Sequence, residues 1–208
     1  MTNRERVLCA LAFERGDRTP YQVDFTMQML EKMVRYSGRD DYAASLGNHI
    51  TQVSLGKPEA ELGHERFMDE FGVIWNRSGA DKDIGVIDHR LADTESLKDY
   101  RMPPVDEAFI RGQMEDLAAQ AGSNFTVAGI GFSLFERAWT LRGMENLLCD
   151  MLEEPEFVDE LMEQITRRNL AVMDIALEYD FDAFYFGDDW GQQRGLIMGP
   201  RCWRRFIK

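Results

Sequence analysis

Phe125-Thr126-Val127-Ala128-Gly129-Ile130 is a near-continuous apolar run, set between Asn124 and the turn-forming Gly131-Phe132-Ser133. An unbroken run of this length fits a strand of a parallel sheet, covered on both faces; a one-sided antiparallel strand would alternate. The same texture returns at Asp182-Ala183-Phe184-Tyr185-Phe186-Gly187. Between the two runs lies the clearest helix of the chain. It starts at Pro155, a residue favoured in a first turn, and carries an apolar stripe of Val158, Leu161, Met162, Ile165, Val172, Met173 and Ala176 toward Asp180. A shorter helix is predicted over 142–152. Strand, helix, strand in this order makes the fold class α/β, with a parallel sheet.

Working toward the N-terminus, Val7, Leu8, Leu11 and Ala12 share one face of a helix predicted over 3–14. Gly16-Asp17-Arg18-Thr19-Pro20 breaks it, and the alternation of Tyr21 to Phe25 predicts a strand. Helices are expected over 27–36 and 40–48, split by Ser37-Gly38. Ile50 to Leu55 reads as a strand and is followed by a loop marked by glycine and proline. Phe71 to Trp75 and Gly85 to Asp88, with Gly79-Ala80-Asp81 between them, predict an inserted β-hairpin. Pro103-Pro104 opens a helix over 106–121, and a final helix begins at residue 200. No shift of composition and no repeat interrupts residues 1–208, so a single domain is expected.

Composition narrows the partners. Acidic residues outnumber basic ones 37 to 24, giving a net charge of −13. Phosphate binding requires a basic surface, so nucleic acid is excluded as an expected partner, as is an anionic membrane surface. Cys9, Cys149 and Cys202 are far apart, with no pair at metal or redox spacing. No disulfide framework is expected, and a reducing cytoplasm suits the chain. The N-terminus leads into a charged amphipathic helix rather than a signal core.

In parallel α/β folds, function gathers where strands end at their C-termini. That rule selects Asp24, the segment Gly129 to Ser133 with Phe132, leading into Phe135-Glu136-Arg137-Ala138-Trp139, and Gly187-Asp188-Asp189-Trp190-Gly191-Gln192-Gln193-Arg194. The last is the densest. Asp188 and Asp189 are the candidate catalytic residues: one carboxylate could act as a general base or orient a ligand while the other caps a loop. Backbone hydrogen bonding by both is the competing structural reading. Asp24, Phe132, Glu136, Arg137, Trp190, Gln192 and Gln193 are candidate substrate-binding residues. Glu136 and Arg137 read equally as a structural ion pair, and Trp139 and Trp190 as core. Familiar motifs fail. Gly129-Ile130-Gly131 lacks a third glycine, having Leu134, so it is no dinucleotide fingerprint. His64-Glu65 lacks a second histidine, having Met68, and His49, His64 and His89 are scattered, so no metal site is expected in these residues.

Several segments together resemble the uroporphyrinogen decarboxylase superfamily. They are Met1-Thr2-Asn3-Arg4-Glu5-Arg6-Val7-Leu8 with Gly16 to Pro20; Asp69-Glu70-Phe71-Gly72-Val73; Phe135 to Asp150; and Gly187 to Met198 followed by Gly199-Pro200-Arg201-Cys202-Trp203-Arg204-Arg205-Phe206. The stretch around Arg137-Ala138-Trp139-Thr140-Leu141-Arg142-Gly143 resembles a methyltransferase-like branch.

The resemblance implies an eight-stranded (β/α)8 TIM barrel and one of two chemistries. One is methyl transfer between corrinoid proteins and thiols or related acceptors, often with zinc. The other, the alternative here, is cofactor-free decarboxylation of uroporphyrinogen in porphyrin biosynthesis. Decarboxylases of the family carry an arginine-rich segment after the first strand, and no arginine lies between Arg18 and Arg35 here; nor does an aspartate lie between Asp41 and Asp69. The methyltransferase branch is therefore favoured. Its zinc ligands, a His-x-Cys pair and a distant cysteine, fall in a C-terminal half beyond Lys208. Barrels of this type need about 250 residues, so the chain is expected to form the N-terminal half of an incomplete barrel, with open strand edges that self-associate. A non-catalytic fragment or partner subunit is the reading from another class.

Overall fold

The computed structural model describes residues 1–79, 85–88, 91–92 and 100–208. Two sheets organise it. The first is parallel and three-stranded: β1 (Ile50–Ser54), β6 (Phe125–Ile130) and β7 (Ala183–Phe186), with β6 in the centre. Thr51 pairs with Thr126 and Ala128 with Phe184, fixing the register. The second sheet is antiparallel, formed in chain order by β2 (Ala60–Gly63), β3 (Arg66–Met68), β4 (Ile74–Asn76) and β5 (Val86–Ile87). A two-stranded ribbon, β8 (Gly191–Gln192) with β9 (Gly195–Leu196), follows β7. The helices are α1 (Asn3–Leu11), α2 (Met27–Ser37), α3 (Tyr42–Ser45), α4 (Glu107–Gln120), α5 (Phe135–Arg142), α6 (Met144–Glu153), α7 (Pro155–Ala176) and α8 (Gly199–Phe206).

All six residues of β6 are buried, as its apolar run requires. Ala128 and Ile130 face α4 and α7, packing with Ile110, Met114, Leu117, Val172 and Ala176. Phe125 and Val127 face the other way, onto Val7 of α1. Alternate residues of a strand point to opposite faces, so one strand feeds two cores. α1 is fixed by a capping box, Thr2 Oγ1 accepting from Glu5 N at 3.1 Å and Thr2 N donating to Glu5 Oε2 at 2.7 Å. Arg4 N then donates to Ser123 O, tying α1 to the start of β6. A separate core holds α5, α6 and α7 together through Phe135, Leu141, Leu147, Val158, Leu161 and Ile165, each at most 1% exposed. Burial of each such side chain contributes roughly 1.5–3 kcal/mol. Among the described residues no helix is long and apolar enough to cross a membrane.

Four expectations change. Tyr21 to Phe25 forms no strand. Its backbone is clamped by side chains instead: Val23 N donates to Asn48 Oδ1 and Asn48 Nδ2 donates to Val23 O, both at 3.0 Å. The helix expected over 40–48 shrinks to α3, because Gly47 takes a left-handed φ of 67°. The inserted hairpin is half of a four-stranded sheet, since Ala60 to Met68 supplies two further strands; its turn at 80–81 lies outside the described residues. Finally, β7 is not buried. Tyr185 and Phe186 are 53% and 46% exposed, because β7 ends the sheet and nothing described pairs with its outer edge.

Candidate functional site

Beyond the C-terminal end of β6 the chain turns sharply into α5. Phe132 adopts φ of 48°, a left-handed conformation that costs a bulky side chain on the order of 1–3 kcal/mol. The neighbours hold it there. Ser133 N donates to Gly187 O at 2.8 Å, and Asn169 Nδ2 of α7 donates to Ser133 O. The result presents the Phe132 ring to Trp75 at 5.5 Å and Trp139 at 6.1 Å between centroids, tilted and edge-on.

Asp188 follows β7 and meets this turn. Its Oδ1 accepts from Glu136 N at 2.7 Å; its Oδ2 accepts from Phe135 N at 3.0 Å and from the Trp190 indole at 2.5 Å. α5 has no side-chain cap of its own. Asp188 supplies one from another strand end, placing a negative charge at the helix N-terminus, where the peptide dipoles favour it. Asp188→Ala is therefore expected to lower stability by about 1–2 kcal/mol. Amide exchange at Phe135 and Glu136 should accelerate with it; unchanged protection at both would refute the capping role.

The same arrangement perturbs Glu136. Partial burial, then the charges of Asp189 and Asp188, push its carboxyl up to about 6, against a hydrogen bond from the Asp189 backbone. A carboxyl with a raised affinity for its proton thus stands beside two other acids. Asp189 itself is exposed, as are Gln192 on β8 and Gln193 in the following turn. Trp190 leans edge-on against Trp203 of α8 at 5.7 Å.

Next to this cluster a cavity of about 180 Å³ opens between the 54–57 loop, the Asp69–Trp75 loop, the 131–132 turn and α7. Its wall is built from two largely buried ion pairs. Arg137 Nη1 meets Asp69 Oδ2 at 2.7 Å, and Arg168 Nη2 meets Glu70 Oε2 at 2.5 Å. Both guanidinium groups lie over the Phe71 ring, 3.8 and 4.4 Å from its centroid. Burial pulls Arg137 below the usual arginine range, against the pull of Asp69. Asp69 also accepts from Phe71 N and Val73 N at 2.9 Å, so one carboxylate shapes the loop and anchors it to α5. Gly72, at φ of 84°, permits that tight turn.

Of the residues selected from the sequence, Glu136, Asp188, Asp189 and Trp190 come together, and Phe132 and Arg137 line the adjoining cavity. Asp24 does not join them; it is exposed and accepts from Gln22 Nε2 at 3.0 Å. Sequence reasoning misses Arg168 and Asn169, and it selects Asp69 and Glu70 only as part of the family resemblance, without a site role. Their signal was present: Arg168 and Asn169 sit on the apolar stripe of α7, between Ile165 and Val172. A charge on such a stripe must find a buried partner. Among the described residues no three His, Cys, Asp or Glu side chains converge as metal ligands.

No protein-family model matches the chain, and no curated protein does. Among solved structures it shares its fold with a methyltransferase from Methanosarcina mazei, at a TM-score of 0.59 and 14% identity. The match covers 100% of this chain and 64% of that one. At that identity the likeness establishes the fold alone.

Proposed function

We propose that the chain belongs to a methyl-transferring enzyme of the uroporphyrinogen decarboxylase superfamily, and that its parallel sheet is the N-terminal part of a barrel. The carrying observation is the Glu136 carboxyl, held at about 6 at the strand ends in a fold shared with a methyltransferase. A thiol or related acceptor must lose its proton as it attacks a methyl carbon, while the donor's leaving atom keeps the bonding pair. A base is most effective when its pKa lies near the working pH. Glu136 is the proton acceptor in this reading, Asp188 positions it, and Asp189 keeps its affinity for the proton high. A corrinoid protein is the methyl donor that the resemblance implies. Zinc, frequent in that branch, finds no ligand set among the described residues, and no step here passes through it. Incubation with a methylated corrinoid and a simple thiol should yield the thioether and the demethylated corrinoid. Absence of thioether with every acceptor tried would overturn the proposal.

The outer edge of β7, unpaired among the described residues and with Tyr185 and Phe186 exposed, supports a second expectation, since an unpaired edge recruits other strands. Sedimentation velocity should show mass rising with concentration, and Tyr185→Lys should reduce that rise. A cooperative monomer across the micromolar range would show that the edge is capped within the chain.

A further inference from the structure

Arg137 is 7% exposed, yet its hydrogen bonds fall on one end of the guanidinium. Nη1 takes both Asp69 Oδ2, at 2.7 Å, and Thr140 Oγ1, at 3.2 Å. Nε is buried with no partner among the described residues. Buried donors in folded proteins are almost always satisfied, and an orphan calls for a ligand or an ordered water. Asp69 cannot serve it further: that carboxylate already accepts from Phe71 N, Val73 N and the Trp75 indole as well as from Arg137. The Glu70 carboxylate is not free either, since it accepts from Arg168 Nη2 and from Lys57 N. Arg137 also lines the 180 Å³ cavity, beside the aromatic faces of Phe71 and Phe132.

We infer that this cavity takes a small carboxylate-bearing molecule, with the carboxylate at the unpartnered Nε–H of Arg137 and the apolar body against Phe71 and Phe132. A carboxylate suits the site better than a neutral oxygen. Hydrogen bonds between a guanidinium and an anion are roughly twice as strong as neutral ones, and the planar fork accepts an oxyanion alongside its existing partner. Lys57, Arg137 and Arg168 of the wall are each paired, with Asp106, Asp69 and Glu70, so the open Nε–H of Arg137, rather than a surplus of positive charge, selects the ligand. The inference names a ligand class for the strand-end site proposed above and shares its reading as a small-molecule site. It is tested by binding alone, so it can fail while methyl transfer stands, and the reverse.

The test is a titration of the ¹⁵N-labelled chain with sodium propionate, propionamide and sodium chloride, reading arginine Nε–H resonances. Arg137 is assigned through its own backbone correlations and by loss of its signal in Arg137→Lys. Propionate should move the Arg137 resonance saturably, with propionamide at least about tenfold weaker and chloride without effect. In Arg137→Lys, which keeps a cation opposite Asp69, the propionate response of the Trp75 indole should weaken by a similar factor. Should that variant not fold, the wild-type titration decides alone. An unmoved Arg137 resonance, or equal shifts with propionamide or chloride, means that an ordered water satisfies Nε and overturns the inference.

Discussion

Glu136→Gln is expected to lower methyl transfer by a factor of about 10²–10⁴, the usual contribution of a positioned general base. The substitution keeps the shape and the contact with the Asp189 backbone but cannot accept a proton. kcat/KM of the unsubstituted enzyme should rise with pH through an inflection near 6, where Glu136 loses its proton; the variant should lack that inflection. Stability moves oppositely. The folded carboxyl, at about 6, binds its proton more tightly than the ordinary value of 4.5, so between those pH values the native state holds more proton than the unfolded one. Stability then falls as pH rises through that window. For a carboxyl only partly buried, solvent screening leaves roughly 1 kcal/mol of the effect. Urea denaturation of both proteins at pH 4.5 and 7.5 should show Glu136→Gln gaining relative stability at the higher pH. Full activity with an unchanged pH profile would remove Glu136 from the chemistry.

The second large effect is structural. Asp69→Ala should destabilise the chain by about 3–5 kcal/mol, because it strands the buried Arg137 charge and two backbone N–H groups at once. Against a typical total of about 5–15 kcal/mol, that loss leaves a marginal fold. Glu178→Ala is the contrasting control. It breaks the ion pair to Arg111, whose side chains are 56% and 33% exposed, and should cost no more than about 1 kcal/mol. Comparable shifts of the urea midpoint in the two variants would mean that Asp69 does not anchor its loop.

The sequence announces the elements whose neighbours are implicit in composition. β6 and α7 are legible because their apolar residues fall on strand and helix periods that only a parallel sheet and its covering helix can bury. Tyr21 to Phe25 misleads because alternation describes which side chains face inward and says nothing of the ladder; here Asn48 takes the place of a neighbouring strand. β7 has a buried strand's composition, but burial depends on a neighbour that the described residues do not supply. At the site, the acids after β7 stand out by density. What divides their roles is tertiary: α5 lacks a cap of its own, so Asp188 is drawn to its amides and Glu136 is left with the perturbed carboxyl. The ion-pair partner of Arg137, Asp69, lies 68 residues away in sequence, beyond any local pattern.

Among the described residues the antiparallel sheet shares no hydrogen-bonded ladder with the parallel one. It docks through Asp69-Glu70-Phe71, whose neighbouring acids reach α5 and α7 separately while Tyr100 Oη donates to Phe71 O, and through Val73 and Trp75, which are buried in the core of α5, α6 and α7. This makes the wall of the cavity exchangeable in a way the strand ends are not. An insertion that keeps the Asp69-Glu70-Phe71 turn and the buried Val73 and Trp75 is expected to be exchangeable without altering the register of the parallel sheet. Ligand choice can then diverge, by evolution or by engineering, in one replaceable cassette while the reacting groups stay where the parallel sheet puts them.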